Sequence, residues 1–312
     1  MAERPRPRRS RRHDSAASEG AVVPPGPSTI DLHTHSTRSD GVLAPVDLIR
    51  DVAAAGVRIT ALTDHDTLAG YRDVVAAKAV PAGVTLISGV EINALVMRDL
   101  GLWEWELHIL GFGMDPDDAA FEATLAQQRN ARRTRFERTV ALLREIGMPI
   151  DAQVAELVSD DDDALGRPTI ARALIRAGFA TTVEDAFSRI IGHGGPGYVR
   201  REGLGPEEAI TTIRVAGGLP VLAHFREAPF RPDVVRELVA AGLGGLEVHY
   251  RTFDQPTVNA MQTVAEAFGL VATGGSDYHG DLGPYAESHE RLWVPPEVGT
   301  DLLDRLGLTW SP

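Results

Sequence analysis

The sequence contains no cysteine. That absence removes disulfides, thiolate nucleophiles and cysteine-ligated zinc from the chemistry open to the chain. Lysine is nearly as scarce, since Lys78 stands alone among 31 basic residues. It falls in a helical pattern with Tyr71, Val74 and Val75, away from any strand end, so Schiff-base, phosphate-loop and carbamylated-lysine chemistry have no carrier. No apolar run approaches the roughly 18 to 20 residues of a membrane span. The chain is therefore expected to be soluble and cytoplasmic, with no membrane partner.

Acids outnumber bases, giving a formal net charge of −13 over 312 residues. The imbalance is uneven. Residues 1–14 hold six arginines and two acids, so the remainder carries 25 basic and 42 acidic residues, a formal charge of −17. A body that acidic repels polyanions, which argues against stable binding of duplex nucleic acid. Residues 1–27, rich in Arg, Pro, Ser, Ala and Gly, lack the apolar content to fold. They show neither the apolar core nor the amphipathic face of a targeting peptide and are read as a disordered basic tail.

What the chain does have is histidine and carboxylate at or just past the ends of short aliphatic runs. Ile30-Asp31-Leu32 leads into His33-Thr34-His35, with Asp40 close behind; Arg58 to Leu62 leads into Thr63-Asp64-His65-Asp66. Val84 to Ile87 precedes Gly89-Val90-Glu91, and Glu106-Leu107 precedes His108. Leu219 to Ala223 ends at His224, and Leu270 to Thr273 leads to Asp277-Tyr278-His279. Strand ends are where an α/β barrel displays its catalytic groups. Alternate residues of a strand share a face, so His33 and His35 point one way together, as do Asp277 and His279. A single histidine so placed is ordinarily a satisfied polar group. Nine such residues gathered at one barrel face make a metal cluster, and imidazole with carboxylate suits Zn, Mn or Fe at a catalytic site.

Seven strands are read, near 30–33, 58–62, 84–90, 106–111, 219–223, 245–248 and 270–273. Helices are read over Pro45 to Ala53 and Thr67 to Val80, then over Asp117 to Gly147, Pro168 to Gly178 and Thr182 to Ile191, a stretch without strand runs. The organisation is a basic tail (1–27), a first barrel part (28–115), a helical insertion that recognises substrate (116–200) and a second barrel part (201–312). The fold class is α/β, a distorted seven-stranded TIM-like barrel interrupted by that insertion.

These motifs resemble the PHP (polymerase and histidinol phosphatase) superfamily. Asp31-Leu32-His33-Thr34-His35-Ser36 with Ser39-Asp40-Gly41, Thr63-Asp64-His65-Asp66 and Gly89-Val90-Glu91 are similar to its first three motifs. Glu106 to Gly111, Ala223-His224 and Gly275-Ser276-Asp277-Tyr278-His279 are similar to the later ones, and Gly166 to Arg172 with Gly197-Tyr198-Val199 extend the match over about residues 30–295. The similarity is to stand-alone bacterial phosphoesterases carrying such an insertion. It implies a trinuclear centre in which His33, His35, Glu91 and Asp277 hold one metal, and Asp40, His65 and His279 a second. Glu91 again, with His108 and His224, would hold a third. Members of this branch hydrolyse phosphomonoesters of nucleotides, including nucleoside 3′,5′-bisphosphates, and some trim short RNA from the 5′ end. The chain departs from the pattern at His224-Phe225 and Arg226-Glu227, and in lacking a basic residue just before Gly197-Tyr198-Val199. Those departures bear on phosphate recognition.

The reading therefore has two to three divalent ions (Mn, Zn or Fe) acting on a small phosphate ester, in a monomer or small homo-oligomer. Asp40, His65, Glu91 and His224 are the candidate catalytic residues. Arg167, next to the proline that opens a helix, is the leading candidate for substrate binding, because guanidinium forks phosphate and a helix N-terminus favours anions. Arg226, His249 and Arg251 follow strand ends and are candidates for the rim. Asp31, Asp64 and Asp66 are candidates to orient the adjacent histidines, whereas His193 and His289 are read as solvated. Trp103 and Trp105 are read as apolar packing in preference to base stacking. Competing readings are a histidinol-phosphatase-type enzyme, an amidohydrolase and a non-catalytic accessory module.

Overall fold

The computed structural model describes residues 28–96, 106–158, 165–280 and 283–309. The expected basic tail and the residues Trp103 and Trp105 lie outside the described residues. Seven strands form one sheet in chain order: β1 Ile30–Asp31, β2 Ile59–Leu62, β3 Thr85–Leu95, β4 Glu106–Phe112, β5 Leu219–Leu222, β6 Gly245–Tyr250 and β7 Val271–Gly275. β2 and β5 are buried throughout and, apart from Thr60, apolar, as expected of strands covered on both faces.

β1 to β3 run parallel, as do β5 to β7, while β4 is antiparallel to both of its neighbours. β7 returns to β1 through Leu32 N donating to Gly274 O (3.1 Å) and Asp277 N donating to His33 O (2.7 Å). The sheet is thus a distorted barrel. Closure depends on Gly275, where a Cβ would lie 2.2 Å from His33 Cβ. Any side chain there would push β7 off β1.

The reversed strand corrects one expectation. Glu91 is not at a strand end but inside β3, an eleven-residue strand that continues past the rim in register with β4, Asn93 facing His108. His108 sits near the N-terminal end of β4, and because β4 is antiparallel that end meets the same rim as the C-terminal ends of the other strands.

The helices are α1 Pro45–Ala54, α2 Ala69–Ala76, α3 Ala119–Glu145, α4 Asp151–Leu157, α5 Arg167–Arg176, α6 Val183–Ala186 running into a π-helical turn at Phe187–Ile191, α7 Pro206–Val215, α8 Pro232–Ala241, α9 Gln255–Phe268, α10 Tyr285–His289 and α11 Pro296–Leu306. α2 is shorter than the sequence pattern suggested, since Lys78 adopts φ 53° and leaves the helix. α4 buries no residue fully and packs only Val154 and Leu157 against the core, too short a stripe to read. α11 seals one barrel end, with Leu302 and Leu303 packed against Ile30, Ile59, Ile87 and Phe112. The opposite end carries the polar cluster.

α3 belongs to two cores. Phe121 and Leu125, in its first half, join the core over the barrel. Phe136, Val140 and Leu143, in its second half, pack with Ile150, Leu174 and Ile190 in a separate cluster. Helices α4 to α6 therefore share a core of their own with the second half of α3, whose first half ties them to the barrel, while α7 packs on the barrel core through Ala209, Ile210 and Ile213. Among the described residues no helix is long and apolar enough to cross a membrane.

Candidate metal centre

The nine residues singled out from the sequence meet at one end of the barrel. Three sets bring ligand atoms within 4.8 Å of one another: His33, His35, Glu91 and Asp277; His35, Asp40, His65 and His279; and Glu91, His108 and His224. Glu91 links the first and third sets and His35 the first and second. Glu91 Oε2 lies 3.5, 3.3 and 3.0 Å from His33 Nε2, His35 Nε2 and His65 Nδ1. Its Oε1 accepts from His108 Nδ1 (2.7 Å) and faces His224 Nε2 (3.3 Å). Asp40 lies 3.1 Å from His279 Nε2 and 3.7 Å from His65 Nε2.

Local backbone conformation aims these groups. Asp66, His224 and Asp277 take φ of 55°, 28° and 50°, a region that costs energy for residues with a Cβ and that clusters at functional sites. Tertiary hydrogen bonds hold them there: Asp66 N donates to Glu91 O (3.0 Å), His224 N to Glu247 Oε2 (2.7 Å) and Asp277 N to His33 O (2.7 Å). Gly41 permits the turn that presents Asp40, because a Cβ there would lie 2.2 Å from His35 O.

The electrostatics of the cluster fit cations. Burial alone would raise the carboxyl of Glu91, but the imidazoles of His108, His65 and His33 outweigh it and hold that carboxyl well below its usual range. Asp40 is likewise held low, His279 and His65 overcoming its burial. Against its own burial, His279 is pushed up to about 10 by Asp40 and Asp277. Burial takes His65 down to about 3 despite Asp40 and Glu91. Acids that stay ionised are in the form that ligates metals, and the protons that this excess of negative charge keeps on His279, His33 and His224 are ones a bound cation would displace. Four buried atoms, His33 Nε2, His35 Nε2, Asp40 Oδ1 and His65 Nδ1, have no hydrogen-bond partner. Atoms of opposite polarity stand beside them without hydrogen-bond alignment, a costly arrangement unless a cation completes it.

The strand-end aspartates do not touch the histidine rings. Asp31 accepts from Ser276 N (2.9 Å), Ser276 Oγ (2.6 Å) and Tyr285 Oη (2.7 Å), clasping β1 to the segment after β7. Asp64 accepts from Ser36 N, Ser36 Oγ and Ser39 Oγ at 2.7, 2.7 and 2.8 Å, which orders the loop to Asp40. Asp66 pairs with Arg132 (2.7 Å) and Arg201 (3.0 Å). A carboxylate outside the three ligand sets that does engage a ligand ring is Glu247, which accepts from His33 Nδ1 at 3.0 Å. Sequence reading passed over it, although an acid inside Leu246-Glu247-Val248 is itself a signal.

Beside the cluster lies a cavity of about 230 Å³ bordered by Asp40, His65 and His108 on one side and by Arg132, Arg135, Arg167 and Arg201 on the other. Glu106 accepts from Arg135 Nη1 (2.9 Å) and Arg167 Nη2 (3.1 Å), and Arg167 also lies over the Phe187 ring at 5.2 Å. Arg132, Arg135 and Arg201 were not anticipated. The remaining candidates are not brought to the cavity. Arg226 is exposed and its charge acts on Asp254. Arg251 donates to Ser288 Oγ of α10 (3.1 Å). His249 packs over Gly274, where burial takes it down to about 4 against the opposing pull of Glu297. His289, expected in solvent, is buried in α10, where Nε2 donates to Ser28 O (2.7 Å) and the ring stacks on Tyr285. His193 is exposed, its ring 5.2 Å from that of Tyr198.

A seven-stranded barrel with a histidine–carboxylate cluster at one end and an arginine pocket beside it defines a metal-dependent phosphoesterase. The chain belongs to the PHP family, whose PHP domain matches residues 31–201. It is 33% identical over 291 residues to the 5′-3′ exoribonuclease of Haemophilus influenzae, an alignment covering 90% of this chain and 97% of that protein. To the 3′,5′-nucleoside bisphosphate phosphatase of Chromobacterium violaceum it is 33% identical over 260 residues, 81% of this chain and 87% of the relative. A crystal structure of a proposed metal-dependent phosphoesterase from Bifidobacterium adolescentis superposes with a TM-score of 0.76 at 29% identity, covering 90% of this chain and 97% of the other.

Proposed function

We propose that this protein is a cytoplasmic phosphomonoesterase of small nucleotides, acting on nucleoside 3′,5′-bisphosphates and on short 5′-phosphorylated oligoribonucleotides. The observation that carries this reading is the junction of the cluster with the arginine pocket, which share Asp40, His65 and His108. A substrate bearing two phosphates can place one at each. The named activities of the exoribonuclease and bisphosphatase relatives support that choice.

Two to three divalent ions, Mn, Zn or Fe, are proposed for the three ligand sets; when bound, they supply Lewis-acid charge to the phosphoryl oxygens and hydroxide near neutral pH. Asp40, His65, Glu91 and His224 are the residues proposed to act nearest the reacting phosphate. Arg167 and Arg135 face the cavity with guanidinium groups whose planar donors match phosphate oxygens. Glu106, with its carboxyl held low by Arg167 and Arg135 against burial, keeps both arginines oriented. The segment 116–200 is proposed as the recognition unit, since it contributes Arg132, Arg135 and Arg167. The cavity, about 230 Å³ beside the cluster, has room for a phosphate-bearing end of a small nucleotide.

The test is a comparison of kcat/KM for a nucleoside 3′,5′-bisphosphate, a nucleoside monophosphate and histidinol phosphate on the metal-reconstituted chain. The bisphosphate should be preferred. Preference for histidinol phosphate would overturn the substrate assignment.

A further inference from the structure

Every strand but one, or the segment that continues it, supplies a member of the three ligand sets; among the described residues β6 supplies none. Yet β6 sends two polar side chains to the same place. His33 Nδ1 donates to Glu247 Oε1 at 3.0 Å, and His224 N donates to Glu247 Oε2 at 2.7 Å. Tyr250 Oη donates to Asp277 Oδ2 at 2.8 Å, while Asp277 Oδ1 faces His33 Nε2 and His35 Nε2 at 3.3 and 3.2 Å. Positions 247 and 250 would fall on opposite faces of a regular strand. An irregularity in the pairing of β6 with β7, between Glu247 and His249, shifts the register by one residue. The bulge turns Tyr250 to the same interior face as Glu247.

We propose that Glu247 and Tyr250 are positioning residues of the metal centre, one fixing His33 and His224 and the other fixing Asp277. With Nδ1–H bound to Glu247, His33 is held as the tautomer whose Nε2 lone pair points into the first ligand set. The second oxygen of the same carboxylate restrains the backbone of His224, whose φ is 28°, so one buried acid ties the first set to the third. Tyr250 occupies one oxygen of Asp277 and leaves the other for the cation. The second set, His35, Asp40, His65 and His279, touches neither residue directly. A carboxylate behind a ligating histidine orients the ring and strengthens its donor nitrogen. In this chain a single strand performs that service for two sets.

This inference rests on the reading that the cluster binds cations, and its test separates the two. The metal-free full chain is titrated calorimetrically with Co²⁺, the occupied set being identified from cobalt-shifted histidine resonances. The His33 tautomer is read from ring ¹⁵N shifts before metal is added. Glu247→Gln has one acceptor group where two donors need one each, so His33 Nδ1–H or His224 N–H loses its partner. Co²⁺ affinity of the first and third sets should then fall about ten- to a hundredfold, with the second set unchanged and the His33 tautomers mixed. Tyr250→Phe, which keeps the ring, should weaken only the set containing Asp277. Unchanged affinities in both variants, an equal loss at all three sets, or His33 carrying its proton at Nε2 with Nδ1 bare in the unsubstituted protein would overturn the inference. Failure of the unsubstituted protein to bind Co²⁺ would overturn the metal-centre reading as well.

Discussion

Replacing Arg167 with alanine removes one of the two guanidiniums that Glu106 holds in the cavity beside the cluster. Arg135 remains 2.9 Å from Glu106, so the substitution strands no buried charge. The contact with Phe187, at 5.2 Å, is worth about 0.5–2 kcal/mol for a partly buried guanidinium, too little to unfold a domain of this size. Recognition should suffer much more. A hydrogen bond to a charged group contributes roughly 1.5–3 kcal/mol, which lowers kcat/KM for a nucleoside 3′,5′-bisphosphate by about ten- to a hundredfold. Phosphate release from that substrate and from a small aryl phosphate, measured with matched metal content, gives the comparison. The aryl phosphate has no second phosphate to clamp and should lose less. Equal losses on both substrates would place Arg167 on the reacting phosphate, and no loss on either would remove it from recognition.

Three further outcomes are expected. Glu91→Gln keeps the shape of the residue shared by two ligand sets but removes its charge, so metal content and turnover should fall together; normal occupancy with full activity in elemental analysis and steady-state assay would make Glu91 an ordinary buried carboxylate. Asp66→Asn leaves Arg132 and Arg201, both buried, without their counter-charge, a loss of about 3–5 kcal/mol that should lower Tm by roughly 10 °C; an unchanged Tm would show that the arginines find other partners. His249 is held by burial at about 4, below its ordinary value of about 6.5. Between those two pH values the unfolded chain binds a proton that the folded chain does not, so stability is full above the upper value and declines as pH falls toward the lower one. The loss amounts to about 3 kcal/mol. Metal-free His249→Asn should show a flatter urea-unfolding profile over that window than the unsubstituted protein, and parallel profiles would contradict the assignment.

The ligands were legible because all but Asp40 stand at or just past an aliphatic run, and because His33 with His35 and Asp277 with His279 keep the two-residue spacing of a strand. Strand direction was not legible. Side-chain alternation is the same whichever way a strand runs, so the antiparallel course of β4, and with it the place of His108 near a strand's first residues, needed the pairing itself. The bulge in β6 was equally hidden, and without it His249 and Tyr250 exchange faces. Arg132 and Arg135 look like surface arginines on a long polar helix; only the fold shows that Asp66 and Glu106, distant in sequence, wait for them beneath α3. Asp31, Asp64 and Asp66 were recognised as important positions, yet their partners are hydroxyls, backbone amides and arginines rather than imidazoles. Local sequence names a polar group but not the donor that will satisfy it.

The central claim is that nine side chains form one multinuclear cation site. Elemental analysis of the full chain, stripped of metal, reconstituted under anaerobic conditions and freed of excess ion, tests it most directly. The three ligand sets predict a ratio approaching three metals per chain, falling when Glu91 is replaced by Gln. A ratio of one at saturation, with all nine residues intact, would contradict the account.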